Sequence, residues 1–526
     1  METLSRDIRS HVRTALQRTG ADLVLSLALF AAALAIRLPY LTLIPRLTDE
    51  TGEVLWALRI ARGEILPLTH VDTYNGPLFP YLLAALFHLF GLSIPLPRVF
   101  VMIIGALTVV VTYGLARAMA GRLAGLVAGG LMATSFAHIL INSHVAWSNC
   151  TTPFFTTLAA LVFYLAVRRE SGRLLALSGL LIGLALQTHP SVFLLIPGLA
   201  LWFLAQERGR TWLRRPAPYV AVLLALLAYS NMIWFNLRGG FASVAEARNP
   251  RNAYVELPTP AAYAENLRNL IIQLLKMLSG TFREGYAPLD YLREPPVLIY
   301  GLVLLLALAY TVRRGRSLPL ALLASTALLM PYVNRSYESL HDTRYIAFLL
   351  PLAYTAMGIL LGDLLRRSRG ATPWMALLAC LILVGTPLVS LGVYYEDSMA
   401  SGLSNEKLLH MAILLRDTRD RGGYVFIDKE LKRLKLGGGG DPARAMDHLL
   451  TLDGTPHTLA DLGKMNWFLD HDPDGDFMLI LAPKTHAWLA QHYRLVPVEL
   501  VPTAEEPDPS TGSGHRYGLY RFTGPR

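Results

Sequence analysis

Residues 23–50 read LVLSLALFAAALAIRLPYLTLIPRLTDE and join a long apolar run to a pair of acids. Residues 23–36 carry no charge and, with their flanks, are long enough to cross a bilayer. Asp49 and Glu50 follow where the emerging helix meets water. Charged groups at the membrane boundary usually serve function. The stretch therefore predicts a membrane-spanning helix with chemistry near its end.

The composition of the whole chain also indicates a membrane protein. Of its 526 residues, 53% are hydrophobic and 16% are charged, which is unusual for a soluble protein of this length. The net charge of +10 comes mostly from arginines at the ends of apolar runs, so we attribute it to topology and to contact with anionic membrane lipid. We expect no nucleic-acid partner, because that would require basic residues on a soluble face.

Eleven apolar runs approach the length that a tilted helix needs to cross the hydrocarbon. A further stretch, 78–92, is short and lies between Pro77 and Pro95, so we interpret it as a helix in the outer interface; an ordinary short span is the alternative. The sequence thus predicts a polytopic α-helical membrane protein with about 11 transmembrane helices plus outer interfacial helices. The eleven runs are 22–41, 98–116, 123–141, 151–167, 174–188, 190–205, 217–236, 296–312, 317–333, 344–362 and 373–394.

Arginines cluster at every second end of these runs, which fixes the predicted orientation. Because Lys and Arg concentrate in cytoplasmic loops, we expect a cytoplasmic N-terminus in an integral plasma (inner) membrane protein. Residues 42–97, 237–295 and everything after the last run then lie outside, where the polar residues gather. The clusters are Arg6, Arg9, Arg13 and Arg18; Arg117 and Arg122; Arg168, Arg169 and Arg173; Arg208, Arg210, Arg214 and Arg215; Arg313, Arg314 and Arg316; Arg366, Arg367 and Arg369.

The last part of the chain has a different composition. Residues 395–526 alternate strand-like runs with helix-like ones such as His486 to Tyr493, which is typical of a small C-terminal extracytoplasmic α/β domain. Residues 1–394 form the predicted transmembrane domain, with outer loops 42–97 and 237–295. The strand-like runs are Tyr424 to Ile427, Phe477 to Leu481, Leu495 to Leu500 and Tyr517 to Phe522.

The candidate site lies in the first outer segment. Residues 48–62 predict an amphipathic helix with Thr48 or Asp49 as its N-cap, and acids in a first turn are favourable for structural reasons alone. A functional role for these acids is favoured by the polar residues that follow on the same side of the membrane, before the interfacial stretch. We therefore predict a substrate site there, and these residues are His70, Asp72, Tyr74 and Asn75.

Several motifs together resemble a known family. The acids after the first span are followed by PLFPYLLAALFHLFG at 77–91, Pro-Arg at 97–98 and Gly-Leu-Ala-Arg at 114–117. ALQTHP at 185–190 and TRYIAFLLPL at 343–352 continue the pattern. The membrane part to about residue 365 is similar to the C-type superfamily of membrane glycosyltransferases, in the branch of the protein O-mannosyltransferases and the lipid A aminoarabinose transferase.

That resemblance implies a sugar moved from a polyprenyl-phosphate-linked donor to a lipid, glycan or protein acceptor on the outer side, with inversion. It makes Asp49 the general base or its orienter, Glu50 its partner, and Arg344 a phosphate ligand beside Tyr345. The alternative for Arg344 is a side chain that contacts the lipid headgroups. The acceptor hydroxyl needs a base, and the leaving phosphate needs cations or a metal. A divalent cation such as Mg²⁺, Mn²⁺ or Zn²⁺ is a possible cofactor, with metal ligands left unassigned.

The chain departs from the family at one position. The second acid of the family usually lies at the outer end of the third span, where this chain has Asn149. An amide binds hydroxyls but takes no proton. His144 and His189 also fall at predicted outer ends. They are candidate phosphate ligands or, as the less favoured role, metal ligands, and the structural alternative is a hydrogen-bonded helix-end histidine.

Two other classes of function remain open on the sequence alone. One is a membrane transporter or flippase of lipid-linked sugars, against which charges within the spans are scarce and no internal repeat is evident. The other is a non-catalytic sugar- or lipid-binding relative, which Asn149 keeps open. In the second outer loop, residues 262–278 have apolar residues at helical spacing and predict an interfacial helix that covers the site or seals the bundle.

Overall fold

Apolar helices make up most of the chain before the C-terminal sheet. The computed structural model describes residues 2–43, 48–206, 209–247, 258–283, 285–333, 337, 339–367, 370–400, 406–434, 441–502 and 514–526. The helices of the membrane part are α1 (Glu2–Arg37), α2 (Thr48–Ala61), α3 (Leu78–Phe90), α4 (Leu96–Ala120), α5 (Arg122–Ala133), α6 (Phe136–Ser143), α7 (Thr152–Arg168), α8 (Gly172–Leu186), α9 (Leu195–Ala205), α10 (Gly209–Trp212), α11 (Ala217–Ala228), α12 (Ser230–Arg238), α13 (Ala242–Ala247), α14 (Pro260–Ser279), α15 (Pro295–Arg313), α16 (Leu318–Leu329), α17 (Leu350–Leu365) and α18 (Thr372–Ala400).

All eleven predicted runs are helical in the structure. Within the described residues, six helices are long and apolar enough to cross a membrane by themselves. Two further predicted runs form bent pairs, α5 with α6 and α11 with α12, whose axes change direction by 62° and 61°. The remaining three predicted runs, and the stretch 78–92, form shorter apolar helices. The six long helices are Gly20–Arg37, Leu96–Ala120, Ser148–Arg168, Pro295–Arg313, Ala347–Leu365 and Thr372–Met399.

The break between α5 and α6 is filled by a buried arginine from another helix. A bend leaves carbonyl groups at the end of α5 without intrahelical partners, and such groups need donors inside a membrane. Arg37, at the end of α1 and fully buried, donates from Nη1 to the carbonyl of Ala133 at 3.0 Å and from Nη2 to that of Met132 at 3.5 Å. Its Nε donates to Ser143 Oγ at 3.0 Å. One guanidinium therefore joins α1 to both halves of the bent pair.

Several arginines meet acids at the other end of the bundle. Asp22 of α1 contacts Arg117, and Arg122 Nε approaches its Oδ1 at 2.8 Å. Asp363 of α17 contacts Arg316 at 3.1 Å and Arg366 at 3.4 Å. The run from residue 98 to 117 along α4 spans roughly 29 Å at 1.5 Å per residue, so this arginine-rich end lies far from the acids that follow α1.

The C-terminal region forms the predicted α/β domain around a five-stranded sheet. The strand order is β2-β1-β3-β5-β4. β1 pairs in parallel with β2 and β3, whereas β5 pairs antiparallel with β3 and β4. The short strand β2 was not among the sequence predictions. The elements are α19 (Glu406–Asp420), β1 (Tyr424–Asp428), α20 (Pro442–Asp453), β2 (His457–Ala460), α21 (Leu462–His471), β3 (Phe477–Leu481), α22 (Pro483–His492), β4 (Tyr493–Pro502) and β5 (His515–Pro525).

One apolar cluster joins this domain to the helices around the candidate site. It contains Val54 and Leu58 of α2, Leu83 of α3, and Met446 and Leu449 of α20, all of them buried. Burial of apolar surface stabilises such a contact by about 25 cal/mol per Å². The sheet domain therefore packs against α2 through this cluster.

Candidate functional site

Three acids lie in the first two turns of α2, and each faces a cationic side chain from a different element. Because α2 begins at Thr48, Asp49, Glu50 and Glu53 all fall near its N-terminus, where negative charge is favourable. Their exposed side-chain fractions differ: 52% for Asp49, 0% for Glu50 and 8% for Glu53. Asp49 is therefore the acid of this group that a substrate can reach. The predicted capping side chain of Thr48 lies outside the described residues.

Glu50 forms a buried bidentate pair with Arg98 of α4. Arg98 Nε donates to Oε1 at 2.8 Å and Nη2 donates to Oε2 at 2.7 Å. Arg98 Nη1 also donates to the carbonyl of Leu41 at 2.8 Å, which ties down the segment after α1. Bidentate arginine–carboxylate pairs are strong and directional. Here Glu50 anchors α2 to α4, and its predicted role beside Asp49 stays a prediction.

Glu53 collects donors from two other segments. Its Oε2 accepts the backbone N–H of Ser148 at 2.6 Å and lies 3.0 Å from His70 Nε2. Its Oε1 accepts from Ser148 Oγ at 3.4 Å. Burial by itself would lower the pKa of His70, but the carboxylates of Glu53, Asp72 and Asp49 together raise that pKa above its ordinary value.

The loop that carries the other predicted polar residues is held in a tight turn. His70 N–H donates to the carbonyl of Asn75, and Asn75 N–H donates to that of Asp72, both at 3.0 Å. His70 Nδ1 accepts from Asp72 N–H at 3.3 Å, and Tyr74 OH donates to Asp72 Oδ2 at 3.5 Å. Ser243 Oγ donates to the carbonyl of Thr73 at 2.6 Å. The turn is thus fixed both to α2 and to the segment after α12.

Asp49 is paired with Arg344 across nearly the whole membrane part of the sequence. Arg344 Nη1 lies 3.2 Å from Asp49 Oδ2, and Arg344 Nη2 donates to Tyr345 OH at 2.8 Å. The guanidinium also lies over the ring of buried Trp147, 4.7 Å from its centroid, in a cation–π contact. An ion pair this exposed contributes only about 0.2–1 kcal/mol, so a competing anion can displace it.

A cavity of about 510 Å³ lies next to this pair. Tyr74, His189 and Tyr345, all predicted site residues, line it together with mostly apolar side chains of α12 and the segment after it. His189 Nδ1 lies 2.8 Å from Ser191 Oγ, and its ring centroid lies 5.5 Å from that of Tyr345. Tyr345 lines the cavity and also accepts from Arg344, so it links the cavity wall to the Asp49–Arg344 pair. A pocket this apolar with few polar groups suits a lipid-like ligand.

His144 lies away from this cavity. It is fully buried, with Nδ1 2.9 Å from the carbonyl of Ile139 and Nε2 3.1 Å from that of Pro39. Tyr395 OH lies 3.2 Å from the same Nε2. These contacts match the helix-end alternative given for it above, and its predicted role in phosphate binding stays a prediction.

Asn149 lies in the short helical turn Ser148–Thr151, directly after the residue that binds Glu53. It is 6% exposed, and its backbone carbonyl accepts from Asn142 Nδ2 at 3.1 Å. Among the described residues its side-chain Nδ2 has no hydrogen-bond partner, and a buried donor in that state is costly unless a ligand or water accepts from it. Its Oδ1 accepts from Ser148 Oγ at 3.4 Å, so Nδ2 is the atom of this amide that lacks a partner.

Glu53 and Trp147 are the residues that sequence reasoning missed. Glu53 was visible in principle, because it is four residues after Asp49 and so lies on the same face of α2. Trp147 gave no comparable signal, since its contact with Arg344 depends on the packing of segments almost 200 residues apart.

The acids of this site do not fit a metal centre. No group of three or more His, Cys, Asp or Glu side chains in the described ranges is arranged to hold a metal ion. Each acid of α2 instead faces an arginine or a histidine. The predicted divalent cation stays a prediction, and no step below depends on it.

Comparisons with known proteins agree with this architecture. A family model described as dolichyl-phosphate-mannose-protein mannosyltransferase matches residues 74–234, about a third of the chain. The crystal structure of ArnT from Cupriavidus metallidurans bound to undecaprenyl phosphate is similar over 96% of this chain and 98% of that one, with a TM-score of 0.56 and 12% identity. The chain has the C-type glycosyltransferase fold. ArnT in the apo state covers 97% and 98% of the two chains, with a TM-score of 0.52 and 12% identity.

Other matches of the C-type glycosyltransferase fold are weaker. The oligosaccharyltransferase of Archaeoglobus fulgidus in complex with Zn and sulfate has a TM-score of 0.48 and 13% identity, over 93% of this chain and 72% of that one. No curated protein sequence is significantly similar to this chain. With its membrane-length helices and this fold, the chain is an integral membrane protein.

Proposed function

We propose that this protein is a membrane glycosyltransferase that moves a sugar from a polyprenyl-phosphate-linked donor to a lipid, glycan or protein acceptor, with inversion. One observation carries the proposal: a solvent-accessible carboxylate, Asp49, lies against Arg344, which in turn binds Tyr345 in the wall of an apolar cavity. The C-type fold supports it.

The donor fits this site in two parts. A prenyl chain suits the apolar walls of the 510 Å³ cavity. The phosphate suits Arg344, whose planar guanidinium binds phosphate oxygens in a fork. Because Arg344 is held by Trp147 and Tyr345, it keeps its position when Asp49 is replaced by phosphate.

Transfer then takes place beside Asp49. The acceptor hydroxyl attacks the anomeric carbon from the face opposite the phosphate, and its proton passes to the Asp49 carboxylate. The bond from that carbon to the phosphate oxygen breaks, and the electron pair leaves with the carrier phosphate, whose charge Arg344 stabilises. Attack opposite the leaving group inverts the anomeric centre.

Polar groups around Asp49 account for sugar recognition in this proposal. The unpartnered Nδ2 of Asn149 can donate to a sugar hydroxyl, and Tyr74 and His189 lie in the cavity wall. We assign His70, Asp72 and Asn75 to the loop that holds Tyr74 in place.

The proposed orientation follows from charge. Arginines surround Asp22 and Asp363 at the end of the bundle remote from the site, and such clusters favour the cytoplasmic side. We place the N-terminus in the cytoplasm, the protein in the plasma (inner) membrane, and the site with the C-terminal domain on the extracytoplasmic face.

A transfer assay tests the proposal. Purified protein in detergent is supplied with a panel of undecaprenyl-phosphate and dolichyl-phosphate sugars, and release of carrier phosphate is followed. Asp49→Asn should reduce release by about 10²-fold or more, since that is the usual contribution of a general base. Asp420→Asn is the matched control, because Asp420 is an exposed acid paired with Arg419 at 3.0 Å in the C-terminal domain.

Two results would contradict the proposal. Release that survives Asp49→Asn would reject Asp49 as the base. No release from the whole panel by correctly folded wild-type protein would favour the non-catalytic binder or the transporter.

A further inference from the structure

Glu53 stands at the meeting point of three segments that carry the site. Its side chain belongs to α2, its Oε2 receives Ser148 N–H at 2.6 Å, and the same oxygen lies 3.0 Å from His70 Nε2. Ser148 directly precedes Asn149, and His70 begins the turn that contains Tyr74. The site itself uses neither Glu53 nor His70, and both are more than nine-tenths buried.

We propose that Glu53 and His70 form a buried positioning pair that holds Asp49, Tyr74 and Asn149 in the arrangement that transfer requires. The inference rests on the proposed function, and it adds a role that the chemistry above does not include. Neither residue touches substrate in this proposal.

The geometry explains how the pair acts on Asp49. Asp49 and Glu53 are separated by one turn of α2, about 6 Å along the axis, so a shift of Glu53 moves the base. A misplacement of about 1 Å can reduce the rate by about 10²-fold. On the other side, His70 binds Asn75 and Asp72 through its backbone and ring, which orients the turn that places Tyr74 in the cavity wall.

The pair is also matched in charge. The Glu53 carboxylate faces Ser148 N–H, Ser148 Oγ and His70 Nε2, which can all carry a proton, so a carboxylate matches them. His70 faces Glu53 and Asp49 of α2 and Asp72 of its own turn, and these acids outweigh burial to raise its pKa. The charge of protonated His70 strengthens its contact with Glu53, whereas the Nδ1 lone pair that accepts from Asp72 N–H exists only in the neutral ring. Loss of the proton from His70 should therefore weaken the contact with Glu53 and keep the contact with Asp72.

The raised pKa of His70 determines the direction of a pH effect. The contribution of a histidine with a raised pKa is complete below about pH 6.5, the ordinary value, and it is lost as the pH rises through the raised pKa. Transfer should therefore decline on the alkaline side along a limb that belongs to His70. Removing the charge of Glu53 should move that limb to lower pH.

The test compares Glu53→Gln with Glu64→Gln. Gln has the shape of Glu without its charge, and Glu64 is a half-exposed acid of the same region, paired with Arg59 at 3.4 Å. The titration of His70 is measured on full-length protein by NMR of ring-¹⁵N histidine, with His70→Gln to assign the signal. The pH profiles of kcat and KM for carrier-phosphate release are measured on the same samples.

We expect His70 to titrate above 6.5 in wild type and at least one pH unit lower in Glu53→Gln. That variant should lose about tenfold or more in kcat at pH 7.5 with KM for the donor changed less than threefold, and Glu64→Gln should match wild type in every measurement. An unshifted titration, or a normal kcat in Glu53→Gln, would overturn the proposal.

Failure of the proposed function is a separate outcome. If wild type releases no carrier phosphate, the titration of His70 alone decides whether Glu53 and His70 form the charged pair. An unshifted titration in Glu53→Gln would then overturn the pair, and a shifted titration would keep the pair while the transferase assignment fails.

Discussion

The acidic side chains at the two ends of the helical bundle differ in how they are paired with cationic side chains. At the arginine-rich end, Asp22 and Asp363 each meet two arginines, so cations are in excess around each carboxylate. At the site end, within the described part of the chain, the three acids of α2 pair with cationic side chains from three separate elements. The first arrangement tolerates the loss of one contact. The second assigns each acid a distinct task.

Exposure separates those tasks at the site end. Glu50 and Arg98 are shut away from solvent, Glu53 and His70 almost so, whereas Asp49 is half exposed. A buried ion pair resists change because either partner alone is costly. An exposed pair can exchange partners at little cost. The ion pairs of Glu50 and Glu53 are thus fixed by burial, whereas that of Asp49, only one to four residues away in sequence, can exchange its partner.

The largest expected effect is a loss of stability when the buried Glu50–Arg98 pair is broken. Glu50→Gln leaves the Arg98 guanidinium buried without a carboxylate, and we expect a loss of about 3–5 kcal/mol in the free energy of unfolding. Thermal unfolding in detergent measures it. Asp49→Asn serves as the control from the same helix and should leave the melting temperature almost unchanged. Equal melting temperatures for the two variants would remove the distinction between fixed and exchangeable acids.

A smaller effect is expected at the arginine-rich end. Asp22→Asn removes one carboxylate from a partly exposed group of two arginines and Tyr113, so stability should fall by about 1 kcal/mol. Transfer should stay within twofold of wild type, because α4 separates this group from Asp49 by its length. Thermal unfolding and carrier-phosphate release are compared on one preparation. A large loss of transfer at unchanged stability would tie this end to the site.

The smallest expected effect is a change in carrier binding when the exchangeable Asp49–Arg344 pair is altered. If phosphate and Asp49 compete for Arg344, Asp49→Asn should tighten the binding of undecaprenyl phosphate by about 1.5- to 5-fold, the equivalent of about 0.2–1 kcal/mol. Arg344→Gln should weaken that binding. In the double variant, Asp49→Asn should have no further effect, since the competition is gone. Weaker binding in Asp49→Asn would mean that Asp49 helps to hold the carrier.

Much of the bundle could be predicted from sequence, because apolar length is a local property. The runs from 22–41 to 373–394 all became helices, and the acids fell at the start of α2 as the capping pattern indicated. The bends in the α5–α6 and α11–α12 pairs were not predicted, since hydropathy is continuous across them.

The sequence predicted which residues belong to the candidate site better than it predicted which of them form ion pairs. Asp49, Arg344 and Tyr345 were all named, yet nothing local reveals that residues 295 positions apart share an ion pair. The roles of Glu50 and His144 show the reverse difficulty: their residue types suggested chemistry, while packing enclosed Glu50 with Arg98 and His144 between two carbonyls.

Arg37 has a consequence for the order in which this protein is made. Its acceptors at Ala133 and Met132 are synthesised about 95 residues later, which takes roughly 5–20 s at 5–20 residues per second. Until then the first helix must keep its guanidinium at the lipid headgroups. Assembly of the helices after insertion can draw that charge inward only when the broken helix arrives. Arg37 therefore delays the packing of α1 until α5 and α6 have been inserted into the membrane.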